Sequence, residues 1–72
     1  MIGTRINIVG IDSNDVRWFW QHDMNSWNLY AEKATNYLSV KAAEFYASRI
    51  RANERLKDAD DRMDTIFVKE VS

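Results

Sequence analysis

The sequence predicts an α+β domain: a small antiparallel sheet of three or four strands, β-hairpin first, covered by one long helix over about residues 39–58 and closed by a C-terminal strand. Three observations predict it. TRINIVGI (4–11) and VRWFWQH (16–22) are rich in β-branched and aromatic residues, and the DSND between them is turn chemistry. VKAAEFYASRIRANERLKDA (40–59) is dense in helix formers and contains neither proline nor glycine. MDTIFVKEV (63–71) then returns to strand-forming residues.

The two opening runs read as a hairpin with a loop of about four or five residues. Alternation puts Val16, Trp18, Trp20 and His22 on one face and Arg17, Phe19 and Gln21 on the other. Each large aromatic buries on the order of 150–250 Å², and a chain of 72 residues is near the lower limit for an unaided core. The tryptophan face is therefore expected to meet the helix, which leaves Phe19 pointing away from it.

Residues 26–38 admit two readings. As a strand they align Trp27, Leu29 and Ala31; as a helix capped by Ser26 they align Trp27, Tyr30, Ala34, Tyr37 and Leu38. The long helix begins at Ser39, a good N-cap. At 100° per residue, Val40, Ala43, Tyr46, Ala47 and Ile50 share one face. A second stripe, Phe45, Ala52 and Leu56 with Arg49 inside it, falls roughly 120° away by the same spacing. Lys41, Glu44, Ser48, Arg51 and Arg55 fill the remaining arc, KDADDR reads as a polar turn, and the closing strand separates Ile66 and Val68 from Phe67 and Val71.

Composition narrows the function classes. The chain forms a single small domain, residues 1–72, with 46% hydrophobic and 29% charged residues, ordinary globular values. There is no cysteine, hence no disulfide and no thiolate metal site. No secretory signal and no run of about 18 apolar residues is present, so a soluble cytoplasmic protein that does not engage a membrane is expected. Net charge is −1, which argues against a general nucleic-acid binder. The charge is unevenly spread. Residues 39–57 carry five basic and two acidic groups, and residues 58–72 two basic and five acidic.

Candidate chemistry is sparse. His22 and Asp23 point to opposite faces of a strand and do not form an acid–base pair. Asp58, Asp60, Asp61 and Asp64 invite a calcium loop, but the sixth position from Asp58 is Met63 and the twelfth is Lys69, where glycine and glutamate are required. No cofactor or metal site is expected, nor an enzyme. Arg51, Arg55 and Lys57 are candidate phosphate contacts.

The second helix stripe is the clearest signal. A lone helix on a small sheet needs one apolar face, and this helix has two. The expectation is a non-enzymatic protein-binding module, monomeric or homodimeric, that works through Phe45, Arg49, Ala52 and Leu56 with Phe19 on the sheet. By analogy of size and composition it suits a phage or mobile-element inhibitor of a host defence protein. A nucleic-acid-binding accessory protein and an oligomer that sequesters a small molecule or nucleotide are the alternatives.

Overall fold

The computed structural model describes residues 5–71; Thr4, the first residue of the expected strand, lies outside them. Four strands, β1 (Arg5–Ile11), β2 (Arg17–Gln21), β3 (Ser26–Asn28) and β4 (Thr65–Val71), form an antiparallel sheet in the order β3-β2-β1-β4. One helix, α1 (Val40–Glu54), lies on one face of it. The fold is the small α+β arrangement read from the sequence.

Asp12 shapes the β1–β2 loop. Its Oδ1 accepts the amides of Asn14 (2.9 Å) and Val16 (3.0 Å), and its Oδ2 accepts the Trp18 indole N–H (2.9 Å). The Trp18 bond foremost, with the two amides, holds the Asp12 carboxyl below the usual carboxylate range. Asp15 takes the left-handed backbone, φ 64°, that closes the loop; aspartate tolerates that region better than most residues.

Strand alternation follows the expected faces. Ile6 and Ile8 of β1 and Ile66 of β4 pack against Ala43, Ala47 and Ile50 of α1, with Trp20, Trp27, Tyr37, Tyr46, Met63 and Val68 around them. The alanines let the helix lie close to the sheet. Gly10 serves the same end in β1: a Cβ there would stand 2.9 Å from both Met63 Cγ and the Trp27 ring. The missing side chain is the space that Trp27 and Met63 occupy.

Residues 26–38 are neither a single strand nor a helix. After the short β3, Ala31–Lys33 makes one 3₁₀ turn, and residues 35–37 then wedge between β1 and β2. Pairing of those strands ends at Val9 and Phe19. Beyond that point the Thr35 amide donates to the Trp20 carbonyl (3.0 Å), and the Tyr37 amide donates to the Ile6 carbonyl (2.8 Å). The His22 amide donates to Thr35 Oγ1 (2.7 Å). The Asn7 side-chain amide completes the wedge, donating to the Thr35 carbonyl and to Asn36 Oδ1, each at 2.9 Å. This accounts for a buried asparagine in the middle of the sheet.

Helix α1 starts as expected, with Ser39 Oγ accepting the Ala42 amide at 3.1 Å. It ends at Glu54 rather than near residue 58, because the following amides of Leu56 and Lys57 bond to Asn53 and Glu54, three residues back. The cause is Glu54 itself. This side chain, only 5% exposed, accepts the Met63 amide (2.9 Å), the Lys57 ammonium (2.6 Å) and the Trp27 indole N–H (3.4 Å). It thereby ties the helix end to the edge strand β3 and to the approach to β4.

Burial pushes the Glu54 carboxyl up, but the bonds from Lys57, Met63 and Trp27 outweigh it and hold the group below its ordinary value of 4.5. A carboxylate lowered by folding contributes stability that is complete above its unfolded value and is lost as pH falls through its folded one. Thermal unfolding of the wild type should therefore lose midpoint steadily below about pH 4.5, and Glu54→Gln should show a shallower acid slope. At pH 7, Glu54→Ala leaves buried donors unpaired and should cost on the order of 2–3 kcal/mol, a fall of roughly 10–20 °C for a domain of this size.

Candidate docking face

The buried side of α1 consists of Ala43, Ala47, Ile50 and Glu54. Packing turns Val40 to the rim, where it is exposed. The buried arc is therefore narrower than the apolar set read from the sequence. At 100° per residue the centre of Phe45, Arg49, Ala52 and Leu56 falls nearly opposite that of Ala43, Ala47, Ile50 and Glu54, well beyond the expected 120°, so the stripe lies almost opposite the sheet. It faces outward: Phe45 is 57% exposed and Leu56 85%. The Arg49 guanidinium sits over the Phe45 ring, 5.8 Å from its centroid. Nothing among the described residues covers these side chains.

Leu38 and Ala42 extend the same face toward the helix start. Leu38 is fully exposed, at 101%, and lines with Ala42, Tyr37, Tyr46 and His22 an open groove of about 340 Å³. Aromatic contacts join this groove to the stripe. Phe45 meets Tyr46 edge-on at 5.3 Å, and Tyr46 meets His22 edge-on at 4.9 Å and Tyr37 at 5.6 Å. The Tyr37 hydroxyl is buried among these rings without a hydrogen-bond partner, and burial, with Tyr46 beside it, pushes it up to about 12. His22 is thus an exposed strand-end residue leaning on two tyrosines, and no carboxylate bonds its ring among the described residues.

Phe19 belongs to a different surface. Register places Phe19, Val9 and Phe67 side by side on β2, β1 and β4, on the sheet face away from α1. Val9 is fully buried between the two half-buried phenylalanines. Arg5, Arg17, Lys69 and Glu32 border the same shallow groove of about 400 Å³. Phe45, Arg49, Ala52 and Leu56 therefore form one face, and Phe19 stands on the other side of the molecule from them.

The candidate phosphate contacts are mostly engaged inside the protein. Arg51 forks onto the Ile66 carbonyl through Nε (3.1 Å) and Nη2 (2.8 Å), and stands 3.8 Å from Glu44. Ile66 lies on the edge strand β4, so the guanidinium blunts part of an open sheet edge. Lys57 is held by Glu54. Of Arg51, Arg55 and Lys57, only Arg55 lacks an internal partner among the described residues.

No described helix is long and apolar enough to cross a membrane, and among the described residues no group of three or more histidine, aspartate or glutamate side chains is placed to hold a metal ion. Comparison with models of known protein families, with curated proteins and with solved structures gave no match. The reading of this surface therefore rests on its chemistry.

Proposed function

We propose that the chain is a small protein-binding module without chemistry of its own, which acts by presenting the outer face of α1 to another protein. One observation carries this reading: an apolar stripe with an arginine in it runs from Phe45 along α1 to Leu56, on the side opposite the core. Aromatic and arginine side chains at such a face are the usual anchors of protein interfaces. A cytoplasmic inhibitor that blocks a partner's surface, as a phage or mobile-element protein blocks a host defence protein, is the form of this activity that suits a chain so small.

Phe45→Asp and Leu56→Asp test it, because both side chains are exposed and each variant should keep the wild-type circular dichroism. Association of the tagged protein, with itself or with a protein captured from nuclease-treated lysate, should fall by at least tenfold in each variant. Unfolding of either variant would show the stripe to be core, and association unchanged by both would place the contact elsewhere; either result overturns the reading.

A second reading is favoured by the far sheet face. Two phenylalanines two strands apart, about 10 Å at the usual strand spacing, flanked by three cations and one carboxylate, suit stacking of single-stranded nucleic acid. On this reading a labelled single-stranded oligonucleotide gains anisotropy on binding, with a log–log salt slope of about −2 for three phosphate contacts. Arg17→Glu with Lys69→Glu should abolish the signal. Flat anisotropy at low salt removes this reading and leaves the first untouched.

A further inference from the structure

We propose that the occupant of the docking face is a second copy of this chain, packed antiparallel, with Leu56 of each copy seated in the groove beside Leu38 and Ala42 of the other. The proposal rests on the reading of that face as a protein-docking surface and adds its partner and register.

Leu38, Ala42, Phe45, Arg49, Ala52 and Leu56, all exposed except the half-buried Ala42, follow one another at alternating intervals of four and three positions. That is the spacing of a seam along which two helices meet. Read backwards, the series keeps its order of types: leucine, alanine, an arginine–phenylalanine pair, alanine, leucine. An antiparallel two-fold at the level of Ala47 therefore sets Leu38 against the partner's Leu56, Ala42 against the partner's Ala52 and Phe45 against the partner's Arg49. The alanine pairs allow close approach of the backbones. Each Arg49, already 5.8 Å from its own Phe45, gains a second ring. An isologous contact of this kind satisfies every pairing twice.

The two ends of the face are complementary in shape. Leu56 projects at one end and the groove of about 340 Å³ opens at the other, so the antiparallel arrangement brings each knob to a groove. A parallel arrangement would instead set Arg49 against Arg49 and leave both grooves empty. Charge favours the same choice. The acidic turn that begins at Asp58, four residues past the helix end, lies toward the start of the partner's α1 and the positive end of its dipole. Lys41 and the partner's Arg55 are a like-charged pairing, but both are exposed at the rim, where water and salt weaken it. α1 contributes about 21 Å of the seam at helical rise, and Leu38 and Leu56 flank it at either end. Contact of that length lies at the small end of stable interfaces, so association is sought over a wide concentration range.

Sedimentation velocity on the full chain from about 5 to 500 μM should show the 8.5 kDa species giving way to one of twice that mass. Leu56→Asp, folded by circular dichroism, should remain monomeric throughout. The register is tested by cysteines, since the chain has none of its own. An oxidised mixture of Ala42→Cys and Ala52→Cys chains should cross-link to each other, whereas Ala52→Cys alone should not, its two copies standing about 15 Å apart along the axis. Self-cross-linking of Ala52→Cys with no cross-link between the two variants would overturn the antiparallel register. A chain that stays monomeric at 500 μM would overturn the second-copy occupant. If Phe45 and Leu56 are still required to capture a different protein, the docking-face reading survives that loss; if they are not, both fall together.

Discussion

Everything on the outer side of α1 depends on how the helix is fixed about its own axis, and the Glu54 carboxylate makes the most specific contribution to that setting. Small residues at Ala43 and Ala47 bring the helix close to the sheet without choosing a unique rotation, since alanine has little shape to interlock. Glu54 chooses. It reaches the Trp27 indole over Gly10 on one side and the Met63 amide on the other, so a helix turned by even part of a residue would leave buried donors unpaired. The geometry that buries Glu54 is also the one that puts Phe45 and Leu56 in water.

The second constraint is the wedge at residues 35–37. It replaces the missing half of the β1–β2 ladder with hydrogen bonds from Thr35 and Tyr37, and it delivers the chain from β3 to the start of α1. The same segment inserts Tyr37 beside Tyr46 and His22 and so forms the wall of the groove that Leu38 and Ala42 border. Fold closure and docking surface thus share residues. The far sheet face, with Phe19 and Phe67, is bordered by the 3₁₀ turn Ala31–Lys33 and lies away from α1.

Much of this was legible in the residues. Period-two alternation separated the Trp20 face from the Phe19 face, and Ser39 marked the helix start, because both signals are local. Residues 26–38 were not legible, since their conformation is set by strand edges contributed by Ile6 and Trp20, which no local pattern reports. The helix end was misjudged for a related reason: helix propensity continues through Lys57, while the bond from Glu54 to Met63 nine residues later is a tertiary choice. At the docking face the stripe from Phe45 to Leu56 was visible as spacing. Its extension to Leu38 and Ala42 was not, because Leu38 lies before the N-cap and joins the face only once the wedge has positioned it. The separation of Phe19 from the helix residues required knowing which face of the sheet α1 covers.

Amide hydrogen exchange at neutral pH measures the central constraint directly. If Glu54 fixes the helix, the Met63 amide and the Trp27 indole N–H should exchange as slowly as the amide of Ile8 in the core, although Met63 follows an exposed polar loop. Exchange at Met63 as fast as at Asp60 or Asp61 would show that the carboxylate does not hold that loop, and the rotation of α1, with the face it exposes, would have to be assigned to something else.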